Sequence, residues 1–204
     1  MKNLPHLEEQ QYIKTRRRIH SIAKLIGRIR ETLVEPIAKN DNLWLAAGEK
    51  GFSTPVMAKY NGLEIGFNPE LLCVEITDES GRFGSVTVIG KSMQELALEV
   101  LEVLKNDFNV TPAIDAAEFD AARKIEIDPK DAQEFLQQFA WFTNVLNAFH
   151  KTIGLSDGVK TQVCLWPHHF DNAFKWFSGR KIDESDEFMG VGVSNGDDMY
   201  ELPY

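Results

Sequence analysis

The amino-acid sequence predicts an α+β fold: an antiparallel sheet built from about 42–90 and 161–195, with helices at about 8–35, 92–107 and 129–153 packed against it. Two observations carry this. Three stretches repeat their apolar residues at helical spacing, whereas residues 42–90 break into short apolar runs divided by turn residues. Helices set apart from a run of strands are the pattern of the α+β class.

The first helix is read from Ile19, Ile22, Ala23, Ile26, Ile29 and Leu33, with Pro36 marking its end. Lys14, Arg16, Arg17, Arg18, Lys24, Arg28 and Arg30 fall between them. These charges are expected on a solvated face. The sharper alternative is an anion-binding surface, because guanidinium groups bind phosphate or carboxylate through two parallel hydrogen bonds. His20 lies one residue off the apolar stripe, either half-buried or aimed into a pocket.

Residues 42–90 follow as "LWLAAG", "FSTPVMAKY", "LEIGFN", "LLCVEITD" and "FGSVTVIG". Gly51, "NG" at 61–62, "NP" at 68–69 and "ESG" at 79–81 break them, which predicts a meander of antiparallel strands. "VEITD" and "SVTVI" alternate, so one sheet face is covered and the other wet. Ser92 and Glu95 then form a capping box ahead of a stripe from Met93 to Leu104. After a linker at 111–127, Asp128 and Pro129 supply an N-cap and a first-turn proline. Phe135, Leu136, Phe139, Phe142, Leu146, Phe149 and Ile153 form an aromatic stripe read as core, ended by Gly154, with Trp141 beside it partly exposed.

Composition bounds the function. The 204 residues suffice for a single domain, 1–204, with a full core. Cys73 and Cys164 lie far apart in apolar runs and are expected as buried thiols, which places the protein in the cytoplasm. No apolar leader and no run of about 18 apolar residues occurs, so no membrane association is expected. Residues 1–40 hold nine Lys/Arg and four Asp/Glu, a net of +5, while the chain as a whole is −9 and the remainder therefore −14. A nucleic-acid partner is accordingly not expected outside the first helix.

The densest chemistry is "LWPHHFDNAF", 165–174. Read as a strand through 161–177, it places His168 with Phe170, Asn172, Phe174 and Trp176 on one face, and His169 with Asp171, Ala173, Lys175 and Phe177 on the other. A helix begun by Pro167 is the alternative; the strand is favoured because "VCLW" precedes it and "FMGVGVS" follows as a returning partner across "SGRKIDESDE". An imidazole beside a carboxylate has a fixed tautomer and raised basicity, so His168, His169 and Asp171 are the catalytic candidates. A structural His–Asp pair is the favoured reading, and no metal is expected. If one binds, His169 and Asp171 are its first candidate ligands, with His20, Asp197 and Asp198 available as a third. Gly190, Gly192 and Gly196 read GxGxxxG and open no strand–helix–strand unit, which rejects a dinucleotide fingerprint. They instead leave space beside the box. No nucleophile elbow, P-loop, HExxH or zinc-finger spacing occurs.

"IHSIAKLIGRIRETL" at 19–33, "GFSTPVM", "LEIGFN…LLCVEI", "FDNAFKWFSGR" and "GVGVSNGDDMYELPY" occur in the same order in a widespread bacterial family of unknown function, which this chain resembles over nearly its whole length. That family is marked by an LH…IxGKxR opening, by a WPHHFD box in a subgroup and by a GVGxSxGDxxYxxPY tail. Arg28 stands where lysine is usual, Asn195 where proline is common, and a few more aromatic residues would be expected after Tyr204. The resemblance implies no activity, substrate or cofactor.

The resulting expectation is a bacterial protein whose ligand pocket gathers His20, Arg28, Trp166, His168, His169 and Asp171, bordered by Asp197 and Tyr200. Its role is non-catalytic or undetermined. The alternatives are a His/Asp-dependent, metal-assisted or metal-free, hydrolase or isomerase, and an interaction module using the basic first helix. Cofactor and oligomeric state stay open.

Overall fold

A computed structural model describes residues 8–36, 42–48, 50–153, 159–182, 185–196 and 200–203. The architecture is α+β. Helix α1 spans Glu9–Leu33, α2 Met93–Phe108 and α3 Pro129–Thr152. The strands are β1 Ala46–Gly48, β2 Gly51–Ser53, β3 Glu64–Asn68, β4 Cys73–Thr77, β5 Phe83–Thr87, β6 Val159–Lys160, β7 Cys164–Trp166, β8 Asp171–Ile182 and β9 Ser185–Ser194. No described helix is long and apolar enough to cross a membrane.

The two strand regions form two sheets rather than one. Strands β1 to β5 make an antiparallel meander in chain order. In the second sheet β9 runs along one edge of β8, while β7 and β6 follow each other along the opposite edge. The only ladder contact between the sheets among the described residues is a bridge in which Leu45 and Leu165 exchange backbone hydrogen bonds of 2.8 and 2.9 Å.

The capping signals act as the sequence predicts. Ser92 Oγ accepts from Glu95 N and the Glu95 carboxylate accepts from Ser92 N, which satisfies two orphan donors of α2. The Asp128 carboxylate accepts from Lys130 N, with Pro129 at the first helical position of α3. The 111–127 linker contains one short helical turn, Ala116–Glu118, and returns to α2 where Ile125 N donates to Lys91 O at 2.7 Å. Lys160 Nζ donates to the His150 and Ile153 carbonyls, closing the C-terminus of α3.

The alternation in β3, β4 and β5 turns Ile65, Phe67, Val74, Ile76 and Val86 inward against α1 and α2. Phe135, Leu136, Phe139 and Leu146 of α3 are buried and Trp141 is partly exposed, as expected, but Phe149 at the outer end of the stripe is 46% exposed. Helix α1 is the central element. Its packed residues include Arg16 and Arg30 as well as the apolar stripe, so two of the charges expected on a solvated face lie inside. Arg30 Nη1 donates to Trp44 O at 2.8 Å and its guanidinium sits 5.1 Å from the Trp44 ring centroid.

Gly27 of α1 is the point of closest approach to the second sheet. A Cβ there would lie 2.5 Å from Pro167 Cγ and 2.9 Å from Pro167 Cβ, far inside contact distance to a rigid ring. Gly27→Ala gains about 1 kcal/mol of helix propensity and incurs an overpacking cost of about 1–3 kcal/mol. The clash dominates, because neither α1 nor the proline ring can give way by an ångström. Urea denaturation should show the variant to be the less stable protein, and an equal or higher midpoint would refute this account of the contact.

Candidate functional site

Residues 161–177 are not one strand. The WPHHFD box is the corner between β7 and β8: Trp166 pairs with Asp171, and Phe170 N donates to Trp166 O at 2.7 Å across a four-residue turn. Strand alternation therefore stops at Trp166, and the expected sharing of one strand face by His169 and Asp171 does not occur. Phe170 adopts φ +62°, in the left-handed region that a bulky side chain rarely enters. Such a conformation costs of order 1–3 kcal/mol and persists only where surroundings impose it. Here the surroundings are aromatic. The Phe170 ring is fully buried, with ring centroids 4.7 Å from His20, 5.9 Å from Phe135 and 6.2 Å from Phe139. The turn thus points Phe170 into the core and His168 and His169 outward, where both are exposed.

A stripe on α1 holds this corner from behind. Tyr12, Arg16 and His20 recur every four residues and so share one face. The Tyr12 hydroxyl donates to Asn195 O, Arg16 Nη1 to Gly196 O and His20 Nε2 to Pro167 O, each at 3.0 Å. A carbonyl can only accept, so the His20 proton resides on Nε2. Asn195 completes the knot: its Nδ2 donates to Phe170 O at 2.7 Å and to Asn172 Oδ1 at 3.2 Å. Asn172 Nδ2 in turn donates to Thr143 Oγ1 of α3 at 2.6 Å. A proline at 195 could make none of the Asn195 donations. Burial raises the Tyr12 hydroxyl well above its ordinary range, although the Arg16 charge opposes the shift. Burial, reinforced by the Lys24 charge, lowers His20 to about 4, against a weaker opposing effect of its bond to Pro167.

In front of the corner lies an open cavity of about 630 Å³, within the range of small-molecule sites. Trp166, His168, His169 and Asp171 line it together with Leu43. The floor is the β8–β9 hairpin, where Lys175 pairs with Gly190, Ala173 with Gly192 and Asp171 with Ser194. The two glycines serve opposite ends. A Cβ on Gly190 would meet nothing within 4 Å, so its absence leaves open space; one on Gly192 would lie 2.5 Å from Ala173 Cβ and 2.6 Å from Asn172 O, so its absence permits strand approach. The Lys175 ammonium is 4.5 Å from the Trp166 ring centroid and 5.3 Å from that of Phe188, a cation held over the cavity's aromatic wall.

Four of the predicted pocket residues, Trp166, His168, His169 and Asp171, are thus brought together. Three others lie elsewhere. His20 is sealed behind the corner. Arg28 bonds Glu31 at 2.9 Å and reaches Glu118 at 3.5 Å, joining α1 to the 116–118 turn; hydrogen bonding to Glu31 raises its pKa, outweighing partial burial. Tyr200 is 58% exposed and does not line the cavity. Asp197 and Asp198 lie outside the described residues. Among the described residues no three His, Cys, Asp or Glu side chains gather to hold a metal ion. Leu43 and Lys175 enter the cavity without having been expected there; Lys175 was readable as a neighbour of Asp171 on its strand face, whereas Leu43 arrives through the Leu45–Leu165 bridge.

A second concavity, of about 790 Å³, opens along α1. Lys14, Arg17, Arg18, Lys24 and Arg123 line it, with Arg16 and His20 beneath. It shares no lining residue with the cavity at the box.

A family model described as a family of unknown function (DUF5996) matches residues 4–196. The chain belongs to that family. Comparison with the curated proteins and with the solved structures gave no match. The family's match spans both sheets and all three helices, and it includes the WPHHFD corner and Asn195.

The sealed His20 makes stability depend on pH. The folded protein binds that proton only near pH 4, whereas the unfolded chain binds it near the ordinary 6.5. As pH falls through this window the unfolded state takes up the proton first. The stabilisation is complete above about 6.5 and is lost towards 4, on the order of 3 kcal/mol. Urea unfolding between pH 7.5 and 4.5 should show this decline, and His20→Asn should flatten it. An unchanged slope in the variant would remove His20 as the cause.

Proposed function

We propose that this protein binds a small molecule in the cavity beside the WPHHFD corner. The open space above Gly190 carries the reading. Valine would suit a strand at that exposed position better, and among the described residues nothing lies within 4 Å of where its Cβ would sit. Leu43, Trp166 and Val191 offer apolar walls, while Lys175, Asp171 and the two exposed imidazoles offer polar contacts at its margin. The complementary ligand has a flat apolar body and a hydrogen-bonding or anionic end. Cys73 and Cys164 are both buried and form no disulfide, which supports a reducing, cytoplasmic setting. The resemblance to a bacterial family supports a bacterial origin, and its span supports one domain over residues 1–204.

A second reading is favoured by the exposure of His168 and His169, since a general base must reach its substrate. In a hydrolase or isomerase one of them would take a proton from substrate or water, with Asp171 orienting the ring. Turnover that falls by at least about 100-fold in His168→Ala or His169→Ala, with binding retained, would establish it.

The two glycines separate occupancy from folding. Gly190→Val should melt like the parent yet lose the thermal shift given by any ligand found in a screen of metals, nucleotides, sugar phosphates and amino acids. Gly192→Ala should lower stability by about 1–3 kcal/mol through overpacking. Full ligand response in Gly190→Val would show that the ligand binds elsewhere.

A further inference from the structure

We infer that the concavity along α1 is a separate binding site for a phosphate-bearing small molecule. Among the described residues six cations, Lys14, Arg16, Arg17, Arg18, Lys24 and Arg123, surround it against two carboxylates, Asp120 and Glu201. This excess of positive charge lies on a chain whose net charge is −9, so general basicity does not explain it. Like charges brought around one concavity repel, and a bound anion relieves that repulsion.

Four of the cations take no part in an ion pair among the described residues. Glu201 bonds Arg17, at an exposed position where an incoming anion can compete. Among the described residues Lys14, Arg18, Lys24 and Arg123 form no ion pair. Arg16, fully buried, donates to the Gly196 carbonyl under the floor. His20 beneath the cleft is neutral at physiological pH, because burial and Lys24 both disfavour its charged form. The cations come from two sides, α1 and the segment after the 116–118 turn, which suits a ligand held between them.

The shape selects the class of anion. A duplex or an extended single strand needs a long basic track, whereas these charges converge on a concavity of about 790 Å³. A lone carboxylate would leave most of the excess uncompensated. A phosphoryl group carries close to two negative charges and three acceptor oxygens, which matches several guanidinium and ammonium donors at once.

Titration calorimetry on the full chain tests this with inorganic phosphate, pyrophosphate, citrate and sodium chloride at matched ionic strength, and with a short single-stranded oligonucleotide. Pyrophosphate should bind more tightly than phosphate, and sodium chloride should not reproduce the effect. The double variant Lys24→Ala/Arg123→Ala should weaken pyrophosphate binding about tenfold or more, with an unchanged circular-dichroism spectrum and melting point. Arg28→Ala, which removes a cation outside the cleft, should leave binding intact. An equal response to sodium chloride, tighter binding of citrate or of the oligonucleotide, or equal loss in Arg28→Ala would overturn the inference. Because no residue lines both concavities, Gly190→Val should bind pyrophosphate like the parent, and its failure to do so would also overturn a separate site.

Discussion

The rest of the structure depends on one line of hydrogen-bond donors along α1. Tyr12, Arg16 and His20 reach three backbone carbonyls, at Asn195, Gly196 and Pro167, that no strand partner satisfies among the described residues. Each of those carbonyls, buried without a donor, would cost about 1–3 kcal/mol, comparable to a large part of a domain's net stability. Supplying the donors from successive turns of one helix satisfies all three and fixes the position of the second sheet along α1. Arg16 is the most demanding member of the line. A buried guanidinium is tolerated only where its hydrogen bonds are made in place, and the C-terminal end of β9 is folded back to make one.

The corner of the second sheet follows from this line. With Pro167 held against Gly27 and its carbonyl held by His20, the chain must reverse within four residues to enter β8. The reversal places Phe170 in left-handed backbone, and the strain is offset because its ring completes a stack with His20, Phe135 and Phe139. The two imidazoles of the box then face outward because Phe170 faces in. Burial and exposure inside one six-residue motif are thus a single geometrical event, and a change at either end of the stack would displace His168 and His169 together.

This event explains why the site was only partly legible in the sequence. The helices and both helix caps follow from periodicity and local chemistry and are found close to their expected bounds. The pairing of β8 with β9 was also legible, but the strands run through most of the residues expected as their exposed connection: β8 continues to Ile182 and β9 begins at Ser185. Gly190 and Gly192 were readable as space beside the box, although not as serving two different ends. The turn was hidden because "VCLWPHHFDNAFKWF" carries enough apolar and aromatic residues to read as one strand, whereas the chain leaves the strand after Trp166 and turns through Pro167 to the left-handed Phe170. Arg28 was expected in the pocket for being a charge among apolar residues, yet Arg16 and Arg30 occupy that kind of position and Arg28 does not. Angular position could have separated them: at about 100° per residue Arg30 lies roughly 40° from Arg16 around the helix, whereas Arg28 lies roughly 120° away. The number of sheets was not readable, since it rests on the pairing of Leu45 with Leu165 across 120 positions of sequence.

The wall between the two concavities is mostly backbone. On one side Trp166, His168 and Ser194 face the cavity; on the other Arg16 and His20 lie under the cationic cleft and hold the carbonyls of the intervening Pro167 and of Gly196. The two sides differ in chemistry. The cavity offers an aromatic wall, one ammonium, one carboxylate and two imidazoles, whereas the cleft offers an array of guanidinium and ammonium groups and is the more polar of the two. Loss of a donor from α1 would move the shared wall and disturb both. Lys24 and Gly190 each face one side alone, so function carried by either concavity can be removed without the other. A fold that uses one helix to anchor a corner from behind thereby leaves two separate concave surfaces of different chemistry.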